Sequence, residues 1–407
     1  MGVKLDNIFN SAINNSLFND KSVLQANYTP ETIPHRDKQI EQVASMLASI
    51  LRGERPSNLF LYGKTGTGKT LSVQYVRQEL LKRATQAGVD IRIEYLNCKS
   101  RKVADTEYRI LAALIQQLGG SVPATGLPTG QVYSKFVELI DNKKQLVVLI
   151  FDEIDQAVKK INSDFLYTLT RLNSELSKAQ ISLIGISNDI TFLENIDPRV
   201  RSSLGEEEVV FPPYNALQLQ DILQERCKNA FKESVVDEGV IAKCAAFAAR
   251  EHGDARRALD LLRIAGELSE RDGNSRVDLR YIDLANKKIE RDKILDIVET
   301  EPKQFQVVLY AILRLTKNMK KEKDNSFEKF FTGDVYNVYQ DVCNKVRTEI
   351  LTQRRVSDII AEIDMLGLIN AKVISKGRHG RTREIRLSVP ENLVEKVEAI
   401  LVESLGL

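Results

Sequence analysis

A glycine-rich segment, GKTGTGKT at 63–70, constrains the fold of this chain more than any other stretch. It lies between an apolar run, NLFLY, typical of a buried strand, and LSVQYVRQELLKR, which has the spacing of a helix. Glycines at 66 and 68 let backbone N–H groups turn toward an anion, and the helix start behind them adds a favourable dipole. The segment therefore predicts a phosphate-binding loop between a strand and a helix.

Further short apolar runs follow this loop and alternate with helical stretches up to about Pro212. They read IRIEYLNC, QLVVLIFDE, QISLIGIS and EEVVFP. Runs of this kind, without strict in-and-out alternation, suit strands that are buried on both faces of a parallel sheet. With helices between the strands, the pattern predicts a doubly wound α/β domain.

The rest of the chain has a different pattern. From Tyr214 to about Glu290, apolar residues recur at helical steps and predict a small all-helical domain. From about Pro302, three helical stretches precede two strands, INAKVIS and TREIRLSV, an order typical of a winged helix. The predicted division is an N-terminal tail at 1–20, a nucleotide-binding base domain at 21–212, a helical lid at 213–300 and a winged-helix domain at 301–407.

Composition narrows the class of protein. The 407 residues include 58 basic and 56 acidic side chains, so the net charge is +2. Any basic surface that binds nucleic acid must therefore be local. Four cysteines and three histidines are scattered, which argues against a structural zinc site or a disulfide framework. The apolar run LVVLIF is far below the ~20 residues that span a bilayer. We therefore expect a cytoplasmic protein without a membrane partner.

The predicted loop and the third apolar run together suggest a site for ATP or ADP with Mg²⁺. Lys69 is expected to reach the β- and γ-phosphates, and the Thr70 hydroxyl to ligate Mg²⁺. Asp152 and Glu153 end the run VVLIFDE, at the sheet edge where phosphates bind in such folds. Asp152 would hold Mg²⁺ through its water shell, and Glu153 would polarise the attacking water.

Two polar residues further along the chain extend the predicted site. Asn188 ends the run GIS and is expected to orient the attacking water or touch the γ-phosphate. Arg256 begins a helix of the lid, in GDARRALDLLR, and is expected to close over the phosphates. The predicted catalytic residues are therefore Lys69, Asp152, Glu153, Asn188 and Arg256.

The C-terminal hairpin concentrates positive charge. Between Lys372 and Arg386 there are six basic residues and one acidic residue, around a tip that contains two glycines. In a winged helix, the last helix enters the major groove and the wing reaches an adjacent minor groove or the backbone. The predicted DNA-binding residues are Arg354, Arg355, Lys376, Arg378, His379, Arg381 and Arg383. A second cluster, Lys99, Arg101 and Lys102, follows the second strand, where a solvated face is an equally open interpretation.

This combination of motifs resembles the AAA+ ATPases. With PHRDKQIEQV at 34–43, DPRVRSSL at 197–204 and the basic hairpin, the chain most resembles the archaeal origin-recognition (Orc/Cdc-type) replication initiators. The resemblance implies that adenine lies near His35 and Arg36, and that Asn188 and Arg256 act as nucleotide sensors. It also implies a nucleotide-binding set of His35, Arg36, Gly63, Thr65, Gly66, Thr67, Gly68, Lys69, Thr70, Leu71, Tyr214, Arg226 and Arg256. The cluster at 99–102 would belong to a DNA-contacting insertion.

One position departs from the pattern of related oligomeric ATPases. They place an arginine finger near the end of the segment that here reads RVRSSL, and Ser203 occupies that position. Arg199 and Arg201 stay candidates to reach a neighbour's γ-phosphate. A finger supplied by a neighbour is worth roughly 10³–10⁵ in rate, so we expect a slow ATPase in which ATP acts as a switch.

The resemblance implies a replication initiator that binds double-stranded origin DNA under control of ATP or ADP and marks it for helicase loading. Paralogous initiator subunits and the replicative helicase are the implied partners. Two alternatives join similar units: an ATP-dependent P-loop transcriptional regulator and a clamp-loader-type ATPase. The rate of ATP turnover, measured with and without duplex DNA, would distinguish a clamp loader from an initiator.

Overall fold

The computed structural model describes residues 16–99, 106–123, 126–161, 163–321, 330–375 and 381–407. Contacts between residues divide the chain into two compact units, Met1–Ile282 and Asp283–Leu407. Among the described helices, none is both long and apolar enough to cross a membrane.

A five-stranded sheet lies at the centre of the first unit. Its strands, in spatial order, are β2, β3, β4, β1 and β5, and every neighbouring pair is parallel. The α/β fold predicted from the apolar runs is therefore confirmed. The strands span Asn58–Tyr62 (β1), Ile91–Asn97 (β2), Leu146–Asp152 (β3), Gln180–Ser187 (β4) and Glu206–Val210 (β5).

Helices cover both faces of this sheet, because alternate residues of each buried strand point to opposite sides. In β3, Val147 and Phe151 belong to one apolar core, whereas Val148 and Ile150 belong to the other. The first core is completed by α3 to α7 and the second by α1 and α2. These helices are α1 (Asp37–Leu47), α2 (Lys69–Ala87), α3 (Glu107–Gln117), α4 (Thr129–Ile140), α5 (Ile154–Ile161), α6 (Asp164–Arg171) and α7 (Pro198–Leu204).

After β5 the chain becomes helical, as predicted. Asn215 and Gln218 form a reciprocal capping box at the start of α8, and Asp254 caps α10 by accepting from the Arg256 and Arg257 amides. The helices are α8 (Ala216–Ala230), α9 (Val240–Arg250), α10 (Ala255–Arg271) and α11 (Leu279–Thr300).

The second unit is a winged helix, which confirms the predicted order of helices and hairpin. Its antiparallel sheet has the strand order β6, β8, β7. Residues of all its helices share one apolar core with Phe330 and Ile385 from the sheet. The elements are α12 (Lys303–Lys321), β6 (Phe330–Phe331), α13 (Thr332–Val346), α14 (Gln353–Met365), β7 (Ile369–Ser375), β8 (Arg381–Leu387) and α15 (Glu391–Leu405).

Three details of the second unit differ from the sequence interpretation. The spacing in DVYNVYQDVCNKVRTEI predicts a helix to Ile350, but α13 ends at Val346 because Arg347 has a left-handed φ of 51°. The strand β6 was missed because two residues show no periodicity. The C-terminal helix α15 was not predicted, although its buried Leu393, Val397 and Leu401 recur at helical spacing.

Gly185 is expected to be essential for the packing of β4 against β1. A Cβ at this position would lie 2.4 Å from the Phe60 ring, so Gly185→Ala overpacks the core. We expect it to lower the free energy of unfolding by about 1–3 kcal/mol, measured by urea denaturation. Gly130→Ala is the matched control, because a Cβ there meets no described atom within 4 Å. An equal loss in both variants would contradict the packing argument.

Candidate nucleotide site and basic winged helix

The predicted phosphate loop joins the carboxyl end of β1 to the start of α2. Gly66 and Gly68 have φ values of 71° and 90°, in the left-handed region that favours glycine. The helix begins at Lys69, directly after Gly68. The loop therefore lies where a helix N-terminus and turned backbone amides favour an anion.

The side chain of Lys69 is buried at the centre of this site. Its Nζ donates hydrogen bonds to the carbonyls of Gly63 (2.7 Å) and Lys64 (2.8 Å) and to Asn188 Oδ1 (2.9 Å). Burial lowers the pKa of Lys69 to about 8, and the nearby Asp152 carboxylate partly opposes this shift. The structure thus brings together Lys69 and Asn188, which are 119 positions apart in sequence.

Asp152, the last residue of β3, is buried beside the loop. Its Oδ2 accepts from Thr70 Oγ1 at 3.0 Å and from Tyr95 Oη at 2.6 Å. The described residues contain no group of three or more His, Cys, Asp or Glu placed to hold a metal. Mg²⁺ at a nucleotide needs no such group, because it keeps several waters and takes phosphate oxygens with one or two protein ligands. The Thr70 and Asp152 oxygens fit that requirement.

Glu153 follows in a left-handed conformation, with φ 54°. Its Oε2 lies 3.7 Å from Lys99 Nζ, and the Lys99 side chain is exposed. Lys99 was predicted as a DNA contact, so the structure places one residue of that cluster beside the predicted water-activating carboxylate. Arg101 and Lys102, also predicted to contact DNA, lie outside the described residues.

Asp155 was not singled out in the sequence, although it belongs to the same DEID segment. It is 2 % exposed and accepts from Ser187 Oγ (3.3 Å) and from the Asn188 amide (3.4 Å). It therefore ties the end of β4 to the start of α5 and orients Asn188. The signal for Asp155 in the sequence was that it is a third acidic residue, three positions after Asp152 at the end of β3.

The lid meets the phosphate loop at the start of α10. The Ala255 amide donates to the Gly66 carbonyl at 3.2 Å, and a Cβ on Gly66 would lie 1.7 Å from Asp254 Oδ1. Glycine at this position is therefore required by the approach of the lid as well as by its own φ. Arg256, next in the helix, lines the cavity described below.

A cavity of about 520 Å³ adjoins the loop. Thr65 to Leu71, Asp152, Glu153 and Asn188 line its polar part, and Tyr214, Arg226 and Arg256 also contribute to the wall. Sequence reasoning missed the segment from Gln25 to Pro34, which lines the cavity together with Ile222 and Leu259. The sequence gives no signal for this segment, because irregular backbone has no periodicity.

His35, Arg36 and Gly63 were also predicted to contact nucleotide, yet the structure places them outside the cavity lining. Arg36 is buried and donates to the carbonyls of Thr67 (2.8 Å) and Pro212 (2.6 Å). His35 Nε2 lies 2.9 Å from Asp221 Oδ2. Of the three, Arg36 contacts the loop through Thr67 and Gly63 is the first residue of the loop, and direct contact of all three with nucleotide stays a prediction.

Arg36 and Arg226 share one feature, an aromatic ring under a buried guanidinium. Arg36 lies 3.7 Å from the centre of the Tyr214 ring, and Arg226 lies 4.6 Å from that of Tyr28. Burial lowers the pKa of both arginines below the usual value. Arg226 also donates to the Val23 carbonyl at 3.2 Å, and through Tyr28 it contacts the segment that sequence reasoning missed.

The two candidates for an arginine finger lie on α7. Arg199 is 83 % exposed and pairs with Asp197 at 2.9 Å, and this ion pair lowers the pKa of Asp197 to about 2. Arg201 is exposed as well, and neither arginine belongs to the cavity lining. Ser203 Oγ donates to the Val200 carbonyl within the same helix. A finger role for Arg199 or Arg201 stays a prediction.

In the second unit, arginines lie at the start of α14 and on the hairpin. Arg354 and Arg355 are exposed, next to the Thr352 cap. Arg383 in β8 donates through Nη1 to the Ser357 carbonyl of α14 and so links wing to helix. Arg381 begins β8. The predicted DNA contacts Lys376, Arg378 and His379 lie outside the described residues.

Three family models match consecutive parts of this chain. Residues 32–184 match "AAA ATPase domain", residues 220–287 match "Cdc6 AAA+ ATPase-type lid domain", and residues 296–397 match "CDC6, C terminal winged helix domain".

Relatives and a solved structure match this chain over nearly its whole length. The "ORC1-type DNA replication protein" of Thermococcus onnurineus is 51% identical over 398 residues, covering 97% of this chain and 94% of that protein. The protein of the same name from Pyrococcus furiosus is 50% identical over 400 residues, covering 97% and 93%. The structure of the Aeropyrum pernix Orc1 protein in complex with DNA is 43% identical, with a TM-score of 0.82 over 95% of this chain and 97% of that one.

The parallel sheet, its phosphate loop and the lid define a nucleotide-binding AAA ATPase domain, followed by a winged helix. The identities above define the group more narrowly. The chain belongs to the family of ORC1-type DNA replication proteins.

The buried Lys69 predicts how nucleotide affinity depends on pH. Its pKa is about 8 without nucleotide, and bound phosphates would raise it, so binding above pH 8 takes up a proton. We expect ADP affinity to fall as the pH rises above about 8, by at most about tenfold per pH unit. Calorimetry in buffers of different ionisation enthalpy should show proton uptake at pH 9. Constant affinity up to pH 9.5 would contradict the assignment.

Proposed function

We propose that this protein is a replication initiator that binds double-stranded origin DNA under control of ATP or ADP and marks the origin for helicase loading. One observation carries the proposal: exposed arginines on a winged helix occur in a chain 43% identical, over 95% of its length, to an Orc1 protein solved with DNA. Because the net charge is only +2, the electrostatic attraction to DNA phosphates must come from local clusters such as these.

The DNA interface in this proposal has two parts. Arg354 and Arg355 at the start of α14 enter the major groove, and the wing around Arg383 contacts an adjacent groove or the backbone. Lys376, Arg378, His379 and Arg381 would act with the wing. Lys99, Arg101 and Lys102 would form a second contact on the base domain, and DNA held at two points can be bent or underwound.

The nucleotide site in this proposal holds ATP or ADP with Mg²⁺. Lys69 binds the β- and γ-phosphates. Thr70 ligates the metal, and Asp152 holds it through the waters bound to the ion. Glu153 polarises the attacking water, Asn188 orients it, and Arg256 reaches the phosphates from the lid. His35, Arg36, Tyr214 and Arg226 hold the adenine side, directly or through the segment at 25–34.

Hydrolysis is proposed to be slow and to serve as a switch. Support comes from Ser203, which occupies the finger position of related oligomeric ATPases, and from Arg199 and Arg201, which lie outside the cavity lining, so an arginine finger would have to come from a neighbouring subunit. Paralogous initiators are the natural neighbours, and the replicative helicase is the proposed downstream partner. The proposal includes a cytoplasmic, nucleoid-associated location and domain boundaries at 20/21, 212/213 and 300/301.

Footprinting on genomic DNA tests the proposal against its alternatives. Protection of one or a few regions where replication starts is expected for an initiator, whereas protection at many promoters would favour a transcriptional regulator. Brisk ATP turnover that duplex DNA stimulates strongly would favour a clamp loader.

The charge on the winged helix should determine DNA affinity. Replacing Arg354 and Arg355, or Arg381 and Arg383, by Ala is expected to weaken duplex binding and to reduce the slope of log K against log salt by about 0.9 per lost phosphate contact. Fluorescence anisotropy between about 50 and 200 mM salt measures both quantities. Lys396→Ala, which removes an exposed charge from α15, should leave them unchanged. Equal losses in all variants would refute a specific interface.

Glu153 should be needed for hydrolysis but not for binding. Glu153→Gln keeps the shape of the side chain and removes the charge that polarises water, so we expect ATP to bind and its hydrolysis to fall by at least about 10²-fold. Filter binding and phosphate release measure the two steps. The exposed Glu207→Gln on β5 is the control. Normal hydrolysis by the Glu153 variant would remove Glu153 from the proposed role.

A further inference from the structure

The phenol of Tyr95 lies in the nucleotide site although no motif points to it. Tyr95 is in β2, which pairs with β3 so that Tyr95 is opposite Ile150 and Asn97 is opposite Asp152. This register carries the Tyr95 side chain to the end of β3, where its Oη donates to Asp152 Oδ2 at 2.6 Å. The residue also lines the cavity.

Three donors hold the two oxygens of the Asp152 carboxylate. Thr70 Oγ1 and Tyr95 Oη both donate to Oδ2, at 3.0 and 2.6 Å, and the Glu153 amide donates to Oδ1 at 3.0 Å. The Thr70 contact comes from the phosphate loop after β1. The Tyr95 contact comes from β2, which lies on the other side of β3 in the strand order. The carboxylate is therefore fixed in orientation before any metal binds.

The Tyr95 hydroxyl is the donor in its contact with Asp152. An ionised carboxylate only accepts, and the short O–H···O⁻ distance is typical of a charge-assisted bond. The backbone of Tyr95 is also held, because Gln117 Nε2 of α3 donates to its carbonyl at 2.9 Å.

We infer that Tyr95 is a positioning residue for Mg²⁺, which acts by orienting the Asp152 carboxylate toward the waters of the ion. The inference rests on the proposed nucleotide site with Mg²⁺ and adds a residue to it. Removing an outer partner of a metal-binding group typically costs 10- to 100-fold in metal affinity. Tyr95 touches neither the phosphates nor the water in this role, so it should not affect nucleotide binding without metal.

Tyr95→Phe removes the hydroxyl and keeps the ring, and Tyr62→Phe is a matched control. Tyr62 lies in β1 of the same sheet and is buried, and its hydroxyl has no hydrogen-bond partner among the described atoms. The first measurement is ADP affinity in EDTA. The second is the dissociation constant of Mn²⁺, as a probe for Mg²⁺, from electron paramagnetic resonance of the protein saturated with stoichiometric ADP. Urea denaturation checks that both variants are folded.

For Tyr95→Phe we expect ADP affinity in EDTA within about twofold of the wild type and Mn²⁺ binding weakened by about tenfold or more. For Tyr62→Phe both quantities should be unchanged. Wild-type Mn²⁺ affinity in the Tyr95 variant would overturn the inference while leaving the proposed function intact. Equal losses of metal and metal-free affinity would assign Tyr95 a merely structural role and overturn it too. A wild-type protein that binds no ADP would overturn the proposed function itself.

Discussion

The nucleotide site depends on the hydrogen bonds that the buried ammonium group of Lys69 donates. It links two carbonyls of the phosphate loop to Asn188 at the end of β4, and so joins two separate parts of the sheet edge. This is possible because β1 and β4 are parallel neighbours in which Tyr62 is opposite Ser187. A charge that is this deeply buried requires compensating acceptors, and here the loop itself supplies them.

The same sheet edge explains why the acidic residues differ in their roles. Asp152 is held by three hydrogen bonds, Glu153 lies near exposed Lys99, and Asp155 turns away to hold the amide of Asn188. Strand β3 ends at Asp152 and α5 begins at Ile154, so the chain changes direction at Glu153. The left-handed conformation of Glu153 makes this change and separates three neighbouring carboxylates into three environments.

The first turn of α10 in the lid and the first turn of α14 in the winged helix differ in what they contact or expose. In α10, Asp254 caps the helix, and the adjacent Ala255 amide donates to the Gly66 carbonyl, so the start of this helix is in direct contact with the phosphate loop. In α14, Thr352 caps a helix whose first turn carries two exposed arginines, and Arg383 ties the wing to that helix. Charge is thus concentrated on a rigid element in a chain that is nearly neutral overall.

The sequence by itself determined the α/β, lid and winged-helix classes, because apolar periodicity and the spacing GKTGTGKT depend only on neighbours along the chain. It also identified Lys69 and Thr70 at the start of a helix, and Asp152 and Asn188 at the ends of strands, as polar residues of one site. Only the tertiary structure decided that Arg36 contacts the loop, that residues 25–34 line the cavity and that Tyr95 reaches Asp152. These facts depend on strand register and on irregular backbone, which bring distant residues together and leave no periodic signal.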